Sequence, residues 1–262
     1  MSGYSCLKCG AVFPIKDGKI FFEGHRAGNK EVRSDNLIYE LKHYLKQYFP
    51  RLSFVLYRLL NVRVGRSAHS LVRALPHDAL ILNVGSGAKP VDPRVVNVDF
   101  MPQPGVDVVA NAYVLPFKNE SADLIICESL LEHLEYPERA VAEMHRVLKS
   151  GGTVFIVTPF MFGFHSSPDD FYRWTIPGMR VLLKGFLVEK AGVAVGPTGA
   201  FAAIAREWFA MLLSFNSRML YQFWLLVFMA LLIPLNIFDY LISRYSFASQ
   251  IAMEYYCIAK KQ

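Results

Sequence analysis

The chain has little cysteine and little charge. Four of its 262 residues are cysteine, and 19% are charged. So few cysteines in a chain of this length do not form a disulfide framework, which excludes a disulfide-stapled secreted scaffold and favours a reducing compartment. Residues 1–24 also lack the continuous apolar core of a secretory signal. We therefore expect a cytoplasmic protein, either free or peripheral on the inner face of the plasma membrane.

Apolar residues are abundant instead. They make up 53% of the chain, the mean hydropathy is +0.26, and the excess lies near the C-terminus. The net charge of +6 favours anionic partners such as lipid headgroups or nucleic acid, and an ordinary basic surface explains it equally well. The length suits one α/β domain with additions.

The N-terminus holds an incomplete metal motif. Cys6 and Cys9, followed by Gly10, have the spacing of one zinc knuckle. Structural zinc needs four ligands and no second Cys-x-x-Cys is present, so we predict no metal site. With its continuation through residues 13–18, the segment resembles the second half of short zinc-ribbon proteins. We interpret residues 1–24 as a degenerate zinc-ribbon-like hairpin that forms a small separate unit.

Residues 25–77 are predicted to be a linker followed by N-terminal helices. Residues 25–36 are polar and contain glycine, and from Asn36 to about Val64 apolar and aromatic residues recur at helical spacing. Pro50 divides this stretch into two helices. Their basic polar faces fit either a membrane surface or a helical cap over an active site.

Residues 80–99 indicate a ligand site. The apolar residues 80–84 predict a buried parallel strand, and the turn at Gly85-Ser86-Gly87 leaves room for a ligand against the backbone. A second predicted strand, residues 95–98, ends in Asp99. A carboxylate at that strand end is placed to accept two hydrogen bonds from a ribose diol. The pattern is therefore typical of a nucleotide-type cofactor site.

Further strands alternate with helical segments. A helix is predicted over residues 137–148, with proline in its first turn and a glycine pair after its end. The alternation implies right-handed crossovers and a doubly wound, mostly parallel α/β sheet. The remaining strands are predicted at residues 106–109, 122–128, 153–157, 186–189 and 253–261.

Four motifs in a fixed order carry a family resemblance. They are the glycine turn with Asp99, the sequence Leu-Pro-Phe at 115–117, and the runs at 122–134 and 143–152. Over residues 78–160 the chain resembles class I S-adenosylmethionine-dependent methyltransferases, in the type 11-like branch. The resemblance implies a Rossmann-like sheet of seven strands with the last one antiparallel, a methyltransferase domain over residues 78–262, and S-adenosyl-L-methionine as cofactor.

The resemblance also implies which residues contact the cofactor. Pro90 stands where a dinucleotide fingerprint has its third glycine, which favours S-adenosylmethionine over NAD. Asn111 replaces the aspartate usual in the family and offers a carbonyl oxygen to the adenine amine. The implied set is Gly85, Ser86 and Gly87 at the methionine and ribose, Asp99 at the ribose hydroxyls, Phe100, Asn111 and Ala112 at the adenine, and Glu128 at the methionine end.

Residues 158–175, after the predicted fifth strand, are densest in reactive side chains. We expect His165 to act as general base, oriented by Asp169 or Asp170. Arg173 is expected to hold an anionic group of the acceptor, such as a lipid-linked phosphate. The alternative is that Asp170 and Arg173 pair with each other and have a structural role.

A hydrophobic helical insertion is predicted at about residues 200–245, before the last strand. Residues 219–238 are long and apolar enough to span a membrane. A single crossing would leave the last strand on the far side of the bilayer from its own sheet. We therefore expect residues 201–245 to form an interfacial or re-entrant hairpin in peripheral contact with a membrane. Burial against the domain or in a dimer interface is the alternative.

These features predict an S-adenosylmethionine-dependent methyltransferase that acts on a small-molecule, lipid-linked or cell-surface glycan acceptor. A catalytically inactive cofactor-binding or scaffold protein is one alternative. An RNA methyltransferase is the other, and it is disfavoured because the basic residues are interleaved with a large apolar load.

Overall fold

A computed structural model describes residues 3–5, 12–22, 48, 62–88, 91–164 and 169–262. The strands in this part of the chain are β1 (Gly3–Ser5), β2 (Val12–Lys16), β3 (Lys19–Phe21), β4 (Ile81–Val84), β5 (Val95–Asp99), β6 (Val108–Val109), β7 (Ala122–Glu128), β8 (Leu148–Pro159), β9 (Phe186–Val195) and β10 (Glu254–Lys261). The helices are α1 (Ala68–Ala74), α2 (Pro137–Val147), α3 (Ile176–Leu182), α4 (Pro197–Ser214), α5 (Arg218–Leu232) and α6 (Asp239–Ile242), with 3₁₀ turns at Leu131–His133, Ile233–Phe238 and Ser246–Gln250.

All described strands belong to one mixed sheet of order β1-β2-β3-β6-β5-β4-β7-β8-β10-β9. The strands β4 to β8 pair in parallel. The last strand, β10, runs antiparallel between β8 and β9. The predicted α/β class, the mostly parallel sheet and the antiparallel last strand are thus confirmed, and the seven predicted strands form its continuous part from β6 to β9.

The N-terminal hairpin is part of this sheet, whereas a separate unit was expected. Strand β3 pairs in parallel with β6, with Ile20 opposite Val108. The backbone N–H of Ile20 donates to the carbonyl of Asp107 at 3.1 Å, and that of Phe22 donates to Val109 at 3.2 Å. The hairpin covers the open edge of a short strand, whose backbone groups would otherwise lack partners. Cys6 and Cys9 lie outside the described residues.

Both faces of the central strands are covered, as a doubly wound sheet requires. Leu82 and Ile125 point to one face, where they pack in a cluster with Met144 of α2 and Met179 of α3. Ile81, Leu124 and Phe155 point to the other face and pack with Val72 of α1. Because neighbouring residues of each strand face opposite layers, the strands are continuous apolar runs in the sequence.

The segment before α1 is extended, whereas helix was predicted up to about Val64. Arg63 forms an isolated antiparallel bridge with Val195, and the N–H of Val64 donates to the carbonyl of Ala194 at 3.0 Å. These backbone groups pair with the end of β9 instead of with a preceding helical turn. Apart from Tyr48 and residues 62–64, the predicted helices lie outside the described residues.

The insertion between β9 and β10 is a helical hairpin of α4 and α5. The rings of Phe209 and Phe228 stack across it with centroids 4.8 Å apart. The helical stretch Arg218–Ile242 is long and apolar enough to cross a membrane, by length and composition alone. Its mean hydropathy is 2.2, and 17% of its apolar window is buried. Most of this apolar surface therefore lies outside the protein core.

One buried carboxylate joins the end of the insertion to its start. Asp239, the first residue of α6, is fully buried and accepts hydrogen bonds from the N–H groups of Thr198 at 2.7 Å and Gly199 at 2.9 Å. These donors lie in the first turn of α4, where backbone N–H groups have no partner within the helix. The negative charge there also interacts favourably with the helix dipole.

We expect Asp239→Ala to destabilise the protein by about 2 kcal/mol or more, since it leaves one buried and one partly buried N–H group without acceptors. Thermal unfolding should show a midpoint lower by about 5 °C. The control is Glu189→Ala, which removes a carboxylate paired with Lys260 on the surface and should change the free energy of unfolding by less than about 1 kcal/mol. Equal midpoints for Asp239→Ala and the unmodified protein would contradict this role.

Candidate functional site

The candidate site lies at the carboxyl ends of the parallel strands. From β4 the chain continues to β5 and β6 on one side, whereas β7 and β8 lie on the other. Ligands of open α/β sheets bind in the crevice at such a reversal of strand order. Gly85 follows β4, Asp99 ends β5 and Glu128 ends β7. These three of the predicted cofactor residues therefore lie together at the carboxyl ends of the strands.

The glycine turn requires glycine for two different reasons. Gly85 has a φ of +76°, and a Cβ there would lie 2.8 Å from the side chain of Leu130. Gly87 has a φ of +54°, but within the described part of the chain no atom lies within 4 Å of the position its Cβ would take. The first glycine thus permits close packing. The second leaves an open face over the backbone, where a ligand can approach.

The carboxylate of Asp99 holds this turn in place. Its Oδ2 accepts a hydrogen bond from the N–H of Gly87 at 2.8 Å, and its Oδ1 accepts one from Met101 at 2.8 Å. Each carboxylate oxygen can accept a second bond, so both retain capacity for a ligand hydroxyl. Ser86 is buried within the turn, and the ring of Phe100 is 39% exposed beside it.

The chain after β6 brings Asn111 and Ala112 to the same edge. The N–H of Ala110 donates to the carbonyl of Asp99 at 3.0 Å. The side-chain oxygen of Asn111 accepts a bond from the N–H of Tyr113 at 2.9 Å. One acceptor position of that oxygen is therefore used within the turn, and one remains for an amine.

The Leu-Pro-Phe loop is locked by an ion pair on α2. Glu143 accepts a hydrogen bond from the N–H of Leu115 at 2.8 Å, while Arg146 donates to the carbonyls of Leu115 and Phe117, each at 2.9 Å. Glu143 and Arg146 pair at 2.8 Å, and the guanidinium holds the pKa of Glu143 below its usual value. The Leu-Pro-Phe motif and the motif at 143–152 thus contact each other in the structure.

Glu128 faces a partner that the sequence did not indicate. Arg63 donates to its Oε1 at 2.9 Å, with the two side chains 30% and 24% exposed. Arg63 belongs to the stretch that was predicted to be helical, but its backbone is extended and pairs with Val195. A contact between residues 65 positions apart leaves no local signal.

Arg173 is fully engaged by the protein, so the expectation that it holds an anionic acceptor group is wrong. Asp170, whose side chain is 1% exposed, receives two hydrogen bonds from its guanidinium. The other donors of Arg173 bind the carbonyls of Phe162, Tyr172 and Gly163. An arginine has five N–H donors and these bonds use all of them. The pair acts as a clamp on the chain after β8.

The other expected catalytic residues of this segment are only partly placed. His165 lies outside the described residues. The backbone of Asp169 contacts the 3₁₀ turn that follows β7. Its carbonyl oxygen lies 2.6 Å from Nδ1 of His133 in that turn. Both oxygens of Asp170 accept bonds from Arg173, so Asp170 has a structural role in the clamp.

Glu132 is a buried acid that the sequence analysis did not single out. Its side chain is fully buried, and neither carboxylate oxygen has a hydrogen-bond partner in the described part of the chain. Nε2 of His133 lies 3.8 Å from its Oε1, beyond hydrogen-bond distance. Burial raises the pKa of Glu132 to about 8, and the nearby charge of Glu254 contributes to the rise. The sequence does not show that Glu132 is buried, because its burial depends on residues that are distant in the chain.

This raised pKa predicts a pH dependence of stability. The folded state holds the proton of Glu132 from about pH 4.5 to about pH 8, while the unfolded state releases it. The free energy of unfolding should therefore fall across that window and level off above it. Glu132→Gln should remove this fall, which is at most about 5 kcal/mol. Urea unfolding at pH 5 and pH 8.5 measures it.

The control for this prediction is Glu135→Gln, since Glu135 is exposed and its replacement should leave the pH dependence as it is. The same fall in stability for Glu132→Gln and for the unmodified protein would contradict a buried, protonated Glu132.

Known methyltransferases are similar in sequence to this chain. A family model described as a methyltransferase domain matches residues 87–156. The ubiquinone/menaquinone biosynthesis C-methyltransferase UbiE of Bartonella bacilliformis is 26% identical over 184 residues, which are 59% of this chain and 66% of that protein. An uncharacterized methyltransferase of Mycobacterium tuberculosis is 32% identical over 79 residues, which are 30% of this chain and 31% of that protein.

Among solved structures, a SAM-dependent methyltransferase from Thermotoga maritima, described as a possible histamine N-methyltransferase, aligns with a TM-score of 0.48 and 16% identity. The alignment covers 86% of this chain and 99% of that one. The sequence matches are shorter. They cover 66% of UbiE and 31% of the Mycobacterium tuberculosis protein, less than two thirds of each.

The matched region contains most of the site. Gly87, Asp99, Asn111 and Glu128 all lie within residues 87–156. This part of the chain is therefore similar to methyltransferase domains, whose methyl donor is S-adenosyl-L-methionine.

Proposed function

We propose that the protein transfers the methyl group of S-adenosylmethionine to a lipid-linked acceptor at a membrane surface. One observation carries the methyl-transfer part. The turn at Gly85-Ser86-Gly87, held by Asp99, faces Glu128 across the crevice where the strand order reverses, and this crevice lies in the methyltransferase domain.

The residues of the crevice suit the donor. The open face over Gly87 admits the ribose and methionine portion, and Asp99 has free acceptor positions for the two ribose hydroxyls. Phe100 offers a partly exposed ring to the adenine. The Arg63–Glu128 pair presents one positive and one negative group, which match the carboxylate and the ammonium of the methionine end.

Little covalent chemistry is required of the protein. The bound donor supplies a methyl group that is already activated as a sulfonium, so the protein acts mainly by aligning the acceptor with it. We propose His165 as the base that removes a proton from the acceptor where one must leave, with Asp169 as its orienting carboxylate. The Asp170–Arg173 clamp would hold the segment that carries both.

The helical hairpin supports a membrane location. Among its exposed apolar side chains are Phe215 (83%), Met219 (76%) and Leu231 (64%), more than a water-soluble surface usually leaves together. Because β10 pairs with both β8 and β9, the chain must return to the sheet after the hairpin. It would therefore enter and leave the bilayer on one side and lie in the interface, with Arg218 and Arg244 near the headgroups.

Replacing Asp99 should weaken donor binding. Asp99→Ala removes the acceptors for the ribose and releases the glycine turn, so calorimetry should show S-adenosylmethionine binding weaker by about 10- to 100-fold. The matched control is Asp92→Ala, which removes a carboxylate near the opposite end of β5 that pairs with Arg94 and should leave the affinity unchanged. No binding to the unmodified protein, or equal binding to Asp99→Ala, would refute the proposed donor site.

A charge on the hairpin should reduce membrane binding. Met219→Glu places a carboxylate in the first turn of α5, where the helix dipole favours it, so folding should be preserved. In flotation with vesicles that contain anionic lipid, we expect the unmodified protein to float and this variant to float several-fold less. Val181→Glu, on α3 away from the hairpin, is the control, because Val181 is 74% exposed. A protein that stays below the vesicles and elutes as a dimer would favour a subunit interface instead.

A further inference from the structure

An apolar groove lies between the hairpin and the chain that follows β8. Its volume is about 440 Å³, within the range of small-molecule sites. Its wall on α4 includes Phe201, Ile204 and Trp208, and Met161 and Ile251 close the other side. The described residues that line it are apolar apart from the indole N–H of Trp208, so this lining offers no charged side chain to a headgroup or a nucleotide.

One wall of the groove belongs to the candidate reaction site. Met161 comes two residues after β8, and its N–H donates to the carbonyl of Ala252 at 3.2 Å. The next two residues along the chain, Phe162 and Gly163, are the ones whose carbonyls Arg173 binds. The clamp that fixes the segment expected to face the acceptor therefore also fixes this wall.

The groove opens toward the surface proposed to meet the membrane. Phe201, Trp208 and Ile251 line it and are 57%, 53% and 52% exposed. They lie on the same insertion as the apolar stretch of α5. An aliphatic chain that leaves a bilayer along this surface would remain in contact with apolar side chains until it reaches Met161.

We propose that this groove binds the hydrocarbon chain of the methyl acceptor, an aliphatic lipid whose reactive group lies beyond Met161 in the crevice. The inference rests on the proposed function, since it assigns the class of acceptor to the same site. The groove would hold the hydrocarbon chain of the acceptor through apolar contacts, with no charged side chain in its described lining. Selectivity for the reactive group then comes from the segment around the Asp170–Arg173 clamp.

The test is fluorescence quenching by a fatty acid brominated at the end of its chain, kept below its critical micelle concentration. Trp208 lines the groove, so its emission should fall in a saturable way, and Trp208→Phe should remove most of the quenching. Ile204→Glu should weaken the apparent affinity about tenfold or more, because it places a carboxylate against the bound chain. Ile204 is 43% exposed, so this variant is expected to fold.

Two controls separate the groove from other apolar surface. Val181→Glu lies on α3, and Met219→Glu lies on the hairpin but does not line the groove. Both should retain full quenching, even though Met219→Glu binds vesicles less well. Absence of saturable quenching, equal affinity for Ile204→Glu, or loss of quenching in Met219→Glu would each overturn the proposal.

Calorimetry with S-adenosylmethionine on the same proteins separates this inference from the proposed function. Ile204→Glu should bind the donor as the unmodified protein does. If the unmodified protein binds the donor and not the fatty acid, the groove proposal fails alone. If it binds no donor, the proposed function fails, and the groove proposal, which depends on it, fails as well.

Discussion

Two hydrogen bonds to the carboxylate of Asp99 hold the candidate site together. They join the end of β5 to the glycine turn after β4 and to the backbone of Met101. The turn has positive φ angles at both glycines, which glycine adopts without a steric penalty, and the bond from Gly87 to Asp99 selects this conformation. The same carboxylate keeps acceptor positions for a ligand. The residue proposed to bind the ribose is therefore also the one that shapes the surface on which the ribose would lie.

The second constraint is the position of β10 in the sheet. This strand lies between β8 and β9, so the hairpin that precedes it must begin and end at the domain. Asp239 anchors its start by capping α4, and most of the apolar surface of α5 stays outside the core. The apolar hairpin adjoins the chain that follows β8, so the lipid-binding surface that we propose lies next to the crevice. This geometry links the methyltransferase domain to the proposed class of acceptor.

The sequence alone predicts the features that depend on local patterns. The apolar runs of the central strands and the glycine turn followed by an acid are found where they are expected, whereas the antiparallel direction of the last strand was implied only by the family resemblance. Features made by contacts distant in the sequence are not predicted. The pairing of Ile20 with Val108 joins the N-terminal hairpin to the sheet, and Arg63 reaches Glu128 only because the backbone before α1 is extended.

Side-chain roles follow the same division. Arg173 and Glu132 stand in reactive-looking segments, but their roles depend on what surrounds them. Three backbone carbonyls and Asp170 use all five donors of Arg173, so a residue typical of anion binding is structural here. Burial keeps Glu132 protonated near neutral pH. Neither the number of bonds nor the burial can be read from residue types and spacing.

The central claim is that this domain methylates a lipid. It is tested most directly by incubating the protein with membranes and S-adenosylmethionine radiolabelled in its methyl group, followed by extraction into organic solvent. The account predicts label in the lipid phase, and its loss when Asp99 is replaced by alanine. Label found only in water-soluble small molecules or in RNA, with the lipid phase unlabelled, would contradict it.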